Sequence, residues 1–194
     1  MLHEVNNGDS LKNSVIEIEK FQAGDRQAFK TVFDSLYSGL CLFTNRYTNN
    51  LPSAEDIAQE CFVVLWDHRD TMMSVRHIKS FLYLTARNNA LDYLRHEKIR
   101  NNYQEATIQE LETSENFIHF VIEEEVEQIL LKTEENLPHQ CRQIFVLAMQ
   151  GIDNEEIASR LNISVNTVKT QKKIAYRKLK RYISELGLLL LYIR

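Results

Sequence analysis

The sequence predicts an all-α chain of two small helical domains joined by an acidic linker. The N-terminal helical domain is expected over 1–101, the linker over 102–122 and a C-terminal helix-turn-helix domain over 123–194. Three observations predict this. Only 5 Gly and 2 Pro occur in 194 residues, too few for the turns of a strand-rich fold. Apolar residues recur at helical spacing through most of the chain. Charge is laid down in blocks: residues 76–101 carry six Lys/Arg against two Asp/Glu, net +4, residues 151–182 carry eight against three, net +5, and residues 102–136 carry one Lys against ten Glu, net −9. The overall charge of −4 therefore conceals two basic blocks around an acidic one, a pattern that bears on partners more than the mean does.

Residues 1–14 are polar and expected to fray, and Val15 to Phe21 can form a short helix. Gly24-Asp25 opens a longer helix with Asp25 as its cap. On it Phe29, Val32, Phe33, Leu36, Leu40 and Phe43 recur at core spacing. Asn49, Asn50 and Pro52 break the pattern. Ser53 is expected to cap the next helix, with Asp56 three residues on as a short capping box. Ile57, Cys61, Val64 and Leu65 form its inward stripe. Asp56, Gln59, Glu60 and Asp67 lie mostly on the other side, and Phe62 and Trp66 fall between the two. An acidic and amide surface bordered by aromatic rings suits the docking of a basic partner helix. Burial alone would equally account for Trp66 as a core anchor.

Asp67 to Val75 reads as a polar loop containing Met72 and Met73. In the helix that follows, Ile78, Leu82, Ala86, Ala90 or Leu91, and Leu94 make the core stripe. Phe81, Tyr83, Arg87, Asn88, Asp92, Arg95 and Lys98 occupy the rest. Asn88, Asp92 and Arg95 share one face by their i, i+4, i+7 spacing, and Asp92 can order Arg95 by an i, i+3 pair. Rings that stack on unpaired bases and cations that hold phosphates are what single-stranded nucleic acid requires. The competing reading places Phe81 and Tyr83 in the core and the charges on a solvated face.

Asn102 to Phe117 is acidic and weakly periodic and reads as a linker. Helical spacing resumes at Ile118 or Glu123. Pro138 starts a further helix that ends at Gly151, with Cys141, Ile144, Phe145, Leu147 and Ala148 inward. The stretch from Gly151 to Arg181 then reads as a helix-turn-helix. Asp153 or Asn154 caps its first helix, Asn162 tolerates the left-handed turn, and Ser164 caps the second. Val168, Ala175 and Leu179 form an inward stripe that Lys172 interrupts. The opposite face carries Asn166, Thr167, Lys169, Thr170, Lys173 and Arg177, a mixture able to reach base edges and phosphates from the major groove. An ordinary helical hairpin with a solvated basic face is the competing reading.

Cys41, Cys61 and Cys141 are odd in number and far apart. They read as buried thiols in a reducing compartment rather than a disulfide or metal set. The six His residues have no paired Ser, Cys or metal-ligand spacing, and neither a Gly-rich phosphate loop nor a nucleophile elbow occurs. No catalytic residue, metal, cofactor or small-molecule substrate is therefore expected, and the chain reads as a non-enzyme. The N-terminus lacks the features of a signal peptide. The apolar stretch Leu186 to Arg194 is too short to span a bilayer and is expected to pack on a helix or a partner. A cytoplasmic location follows as an expectation.

Residues 24–101 and 123–181 together resemble a bacterial RNA polymerase sigma factor of the small, two-domain extracytoplasmic-function class. The resemblance is carried by Gly24-Asp25 with Ala28-Phe29, by AEDIAQECFVVLW at 54–66 and by FLYLTARNNALDYLR at 81–95. LPHQCRQIFVLAMQG at 137–151 and NEEIASRLNISVNTVKTQKKIAYRKLK at 154–180 complete it. The apolar tail is similar to those of sigma factors from the Bacteroidetes. The resemblance implies a region 2-like bundle and a region 4-like helix-turn-helix. It implies that Asp56, Gln59, Glu60, Phe62 and Trp66 bind core RNA polymerase, chiefly its β′ subunit with β as a further contact. Loop 68–77 and helix 78–98, with Phe81, Tyr83, Arg87, Asn88, Asp92, Arg95 and Lys98, would melt and hold the minus-ten element. Asn166, Thr167, Lys169, Thr170, Lys173 and Arg177 would read the minus-thirty-five element as duplex. The linker would thread the polymerase's RNA channel, and a membrane-anchored anti-sigma factor would sequester the chain. The alternative is a dimeric helix-turn-helix regulator of duplex operators, which would show a ligand pocket or a dimer helix within residues 1–100.

Overall fold

The computed structural model describes the backbone of residues 17–101 and 105–193, and their side chains apart from 98–101, 105–107 and 192. All regular structure among the described residues is helical. In chain order the helices are α1 (Ile18–Gln22), α2 (Arg26–Thr48), α3 (Leu51–Asp67), α4 (Val75–Asn101), α5 (Glu105–Leu111), α6 (Ser114–Glu135), α7 (His139–Met149), α8 (Asn154–Leu161) and α9 (Val165–Ile193), with one 3₁₀ turn at Arg69–Thr71.

The first half is a bundle in which α2, α3 and α4 pack on one another. Asp25 caps α2 as expected, accepting the Ala28 N–H at 2.7 Å. Asn49 ends α2 in the left-handed conformation at φ 46°. The start of α3 differs from expectation. Asn50, not Ser53, is its cap, and the Asn50 Oδ1 accepts the Ser53 N–H at 3.1 Å. Pro52 then falls in the first turn, where a missing N–H costs nothing. The Ser53 hydroxyl bonds Tyr93 Oη on α4 at 3.1 Å instead. Val32, Phe43, Leu65, Ile78, Leu82 and Leu94 are among the fully buried side chains of this core.

The acidic segment is the larger departure. It is helical through α5 and α6, and α6 runs unbroken across the expected boundary at 122/123. Thr113 caps α6 by accepting the Asn116 N–H at 3.2 Å. Phe117 and Val121, four residues apart, are 4% and 0% exposed in the core of the first half. Phe117 meets Phe43 edge-on at 6.1 Å, and Phe120 meets Tyr47 at 5.1 Å. Glu124 and Glu125 are buried on the same face. Gly39 on α2 faces this carboxylate: a Cβ there would lie 2.9 Å from Glu124 Oε1, whose side chain would have to shift.

The second half is built from α7, α8 and the first part of α9. Ile144, Ile157, Ala158 and Val168 form one cluster, and Leu137, Cys141, Phe145 and Ala175 a second, with Leu130 of α6 and Leu179 packed against it. Asp153 caps α8, its Oδ1 accepting both Glu155 and Glu156 N–H groups at 2.9 Å. Asn162 turns the chain at φ 52°. Ser164 caps α9 through the Thr167 N–H at 3.0 Å.

Both α6 and α9 belong to both halves. The beginning of α6 lies in the first core, whereas Leu130 lies in the second. On α9, Val168 and Ala175 lie in the second half, whereas Leu189 is 2% exposed within the first core, with Leu190 and Ile193 packed beside it. The apolar tail thus packs on the chain's own N-terminal half, against α4. No helix among the described residues is long and apolar enough to cross a membrane.

Candidate nucleic-acid interface

Three surfaces carry the residues singled out in the sequence. The first is the outer face of α3. Asp56, Gln59 and Glu60 are exposed there, and the Gln59 amide donates to Tyr37 Oη at 3.3 Å. Phe62 does not share this surface. It is 2% exposed, with its ring 4.8 Å from that of Phe33 and 6.3 Å from that of Phe29, so it is a core residue with no face to offer a partner. Trp66 is half-buried and edge-on to Phe29 at 5.0 Å. The Arg69 guanidinium covers its ring at 4.6 Å and donates to the Trp66 carbonyl at 2.7 Å. The residue the sequence reading missed is Val63, 63% exposed among the acids. Its place in an otherwise inward apolar run hid it.

The second surface is α4 with the loop before it. Gln22 fastens this loop by donating to the Met72 carbonyl at 2.9 Å. Met72 is 1% exposed and its neighbour Met73 81%. The Met73 N–H donates to His77 Nδ1 at 3.3 Å. Phe81 is half-buried, its ring 5.6 Å from that of His68. Tyr83 is not on this surface. It is 6% exposed, and its hydroxyl donates to Glu125 Oε1 at 2.8 Å. Burial first, and the adjacent Glu125 carboxylate second, push its hydroxyl well above the usual tyrosine range. It is therefore a fixed neutral donor and not a stacking ring.

Asn88, Asp92 and Arg95 are exposed, as their shared face requires. Arg95 Nη1 pairs with Asp92 at 2.6 Å and Nη2 with Glu112 at 2.6 Å. Arg87 donates to the Glu112 carbonyl, and its guanidinium lies 5.3 Å over the Phe117 ring. The Lys98 side chain lies outside the described residues. Lys79, absent from the sequence reading, is held by both oxygens of Glu125 at 2.7 and 2.8 Å. Its partner lies 46 residues away, beyond the reach of a local pattern. A shallow groove of about 400 Å³ between α3 and α4 places Asp92 beside Asp56 and Glu60.

The third surface is the outer face of α9. Asn166, Lys169, Thr170, Lys173 and Arg177 are exposed and Thr167 is half-buried. The Thr170 hydroxyl donates back to the Asn166 carbonyl at 2.9 Å. Lys172, which breaks the apolar stripe, extends its ammonium to Asn154 Oδ1 at 3.1 Å, so its stem covers the core while its charge leaves it. This ties α8 to α9 at the angle that presents the basic face.

The cysteines stand apart from all three surfaces. Each is a free, buried thiol. Desolvation pushes the Cys61 thiol up to about 12, which leaves it protonated and unreactive at neutral pH.

Comparison with known proteins matches residues 32–99 to Sigma-70 region 2 and residues 127–179 to Sigma-70 region 4. The first match spans most of α2 to α4, and the second runs from within α6 through the helix-turn-helix. The ECF RNA polymerase sigma-E factor of Escherichia coli K12 is 27% identical over 178 residues, covering 84% of this chain and 90% of that protein. The sigma-E factor of Salmonella typhimurium LT2 matches to the same extent. The ECF RNA polymerase sigma factor SigW of Bacillus subtilis is 27% identical over 184 residues, covering 87% of this chain and 96% of that protein. With both regions in order and each resting on a helical half that the structure builds, the chain belongs to the sigma-70 family, as an RNA polymerase sigma factor of the extracytoplasmic-function class.

Proposed function

We propose that the α3 face docks on core RNA polymerase, α4 and its preceding loop hold the melted minus-ten element, and α9 enters the major groove at the minus-thirty-five element. The observation that carries this division of labour is the contrast between two exposed faces. Asp56, Gln59 and Glu60 give α3 an acidic and amide surface around the apolar Val63, suited to a basic helix of the β′ subunit. Lys169, Lys173 and Arg177 give α9 a cationic face interleaved with Asn166 and Thr170, suited to phosphates and base edges. Phe62 and Tyr83 act from within the core, shaping these faces rather than touching the partners.

Each DNA contact is modest by itself. Polymerase presents both modules at once, so the second contact forms at high effective concentration. The bond-forming chemistry belongs to the polymerase, and the chain supplies binding and melting. It works in the cytoplasm, where the polymerase is, and a membrane-anchored anti-sigma factor covering the α3 face would hold it inactive. The test is transcription in vitro from genomic fragments of the host, with core polymerase and this chain. New start sites should appear, and Lys173→Ala with Arg177→Ala should abolish them while leaving the polymerase complex intact. Start sites that are unchanged by these substitutions would remove α9 from promoter reading.

A further inference from the structure

We propose that the outward face of α9 is also a seat on an anionic lipid surface. Its cations rest on the headgroups and its C-terminal tip dips among the upper acyl chains, so that lipid and duplex DNA compete for the same residues. The competition rests on the reading that α9 enters the major groove; the lipid seat does not.

The face is written in the spacing of the helix. Lys169, Lys173, Tyr176, Lys180, Ile183, Gly187 and Leu191 follow one another at steps of four, three, four, three, four and four. At 3.6 residues per turn this keeps them within about 40° of one line. All seven are exposed, because the opposite side of the helix buries Val168, Ala175 and Leu189. The face changes character along its length. It is basic from Lys169 to Lys180 and apolar from Ile183 to Leu191, with Ile183 50% and Leu191 72% exposed. The match to Sigma-70 region 4 ends at residue 179, whereas α9 continues to Ile193, so the apolar tip lies beyond the matched domain.

Duplex DNA does not cover the tip. Leu191 stands about 27 Å along the helix from Lys173, at 1.5 Å per residue. That is more than twice the roughly 12 Å width of the major groove. A second copy of the chain suits the tip no better, since so few exposed apolar side chains fall far short of the roughly 1,200 Å² that a specific interface buries. An anionic bilayer suits both ends of the face. Helix α9 carries seven Lys/Arg against a single acid, Glu185, and Glu185 lies about 160° round the helix from Gly187. No carboxylate among the described residues pairs with Lys169, Lys173, Arg177 or Lys180. Such a patch is drawn to phosphate headgroups, and a short apolar segment beside it supplies the second signal that stable anchoring needs. Tyr176, 44% exposed among the cations, has the amphipathic ring that settles at headgroup level. The helix lies on the surface and does not cross it. Leu189 keeps its place in the N-terminal core throughout, so the seat needs no rearrangement of the fold. A chain held there has Lys169, Lys173 and Arg177 occupied and is kept from duplex DNA.

The test is co-sedimentation of the full chain with vesicles of equal parts phosphatidylcholine and phosphatidylglycerol, beside vesicles of phosphatidylcholine alone, at fixed low salt. Wild type should pellet with the anionic vesicles and stay in solution with the neutral ones. Lys180→Gln should weaken binding about fivefold, the effect of one cation near an anionic surface. Leu191→Asp should weaken it about tenfold, and Gly187→Leu should tighten it about tenfold. A Cβ at Gly187 meets nothing within 4 Å, so the added side chain reaches lipid and not the core, and leucine is the better helix former. An excess of random-sequence duplex should release wild type from the vesicles. No sedimentation, or equal sedimentation with neutral and anionic vesicles, overturns the proposal. Anionic binding that Gly187→Leu and Leu191→Asp both leave unchanged also overturns it, since the cations alone then account for binding. A Gly187→Leu chain that becomes dimeric without vesicles, by light scattering, assigns the tip to a second copy instead. Duplex that fails to release the bound chain overturns the competition. The readout uses neither polymerase nor promoter, so its failure leaves the promoter reading of α9 standing.

Discussion

Tyr83 and Glu125 meet in the interior, the tyrosine hydroxyl donating to Glu125 Oε1 at 2.8 Å, and the same carboxylate holds Lys79 Nζ with both oxygens. One side chain from the acidic segment thus satisfies two polar groups of α4. Removing it leaves the buried tyrosine hydroxyl without its acceptor and the Lys79 ammonium, a quarter exposed, without its counter-charge. Glu125→Ala should destabilise the fold by about 2–4 kcal/mol, measured by urea denaturation. Glu125→Gln, which keeps an acceptor for the tyrosine, should lose clearly less. Equal losses from the two substitutions would show that shape, not the charge and its hydrogen bonds, holds α6 to α4.

Glu124 gives the fold a pH dependence. Burial first raises its carboxyl above the ordinary value of 4.5, with a smaller push from Glu127 and Glu125, while the Gln128 amide and Arg46 oppose the rise. A carboxyl raised on folding binds its proton more tightly in the folded state. Its contribution to stability is present below pH 4.5 and is lost as pH rises through its own higher value. Glu124→Gln should therefore match wild type in acid and melt at a higher temperature than wild type at neutral pH. Calorimetry of the two proteins from pH 4.5 to 7.5 tests this, and a constant gap across that range would count against it.

The cap of α3 separates two adjacent polar residues. Asn50→Ala removes the oxygen that accepts the Ser53 N–H and should cost about 1 kcal/mol. Ser53→Ala leaves the cap intact and removes only the bond to Tyr93, so it should cost less. Thermal melts of the two variants side by side would reverse this order if Ser53 were the cap.

The helical character of the chain, the Asp25, Asp153 and Ser164 caps, and the basic face of α9 were legible because each depends on neighbours within one helical turn. What the sequence concealed depends on distant partners. Phe62 and Trp66 look alike at i, i+4, yet Phe33 and Phe29 of α2 bury the first more deeply. Tyr83 reads as a candidate stacking ring until Glu125, 42 residues on, is brought to its hydroxyl. The acidic segment looks like a linker because Glu dominates it, and its few apolar residues, Ile108, Phe117 and Val121 among them, are too scattered to stand out. Ser53 outranks Asn50 as a cap only if Pro52 is taken as a break rather than as a first-turn residue. Docking of the tail was expected in kind, but its target, the N-terminal core with α4, lies far beyond the reach of a local sequence pattern.

The most direct test of the central claim is the elution shift of the chain on mixing with bacterial core RNA polymerase in size-exclusion chromatography, with Asp56→Arg and Val63→Asp beside wild type. Both positions are exposed, so the variants should melt within a few degrees of wild type. Wild type should form a stable complex, and both variants should lose it. A wild-type chain that stays free of the polymerase, or variants that bind as well as wild type, would contradict the assignment of α3 as the docking face.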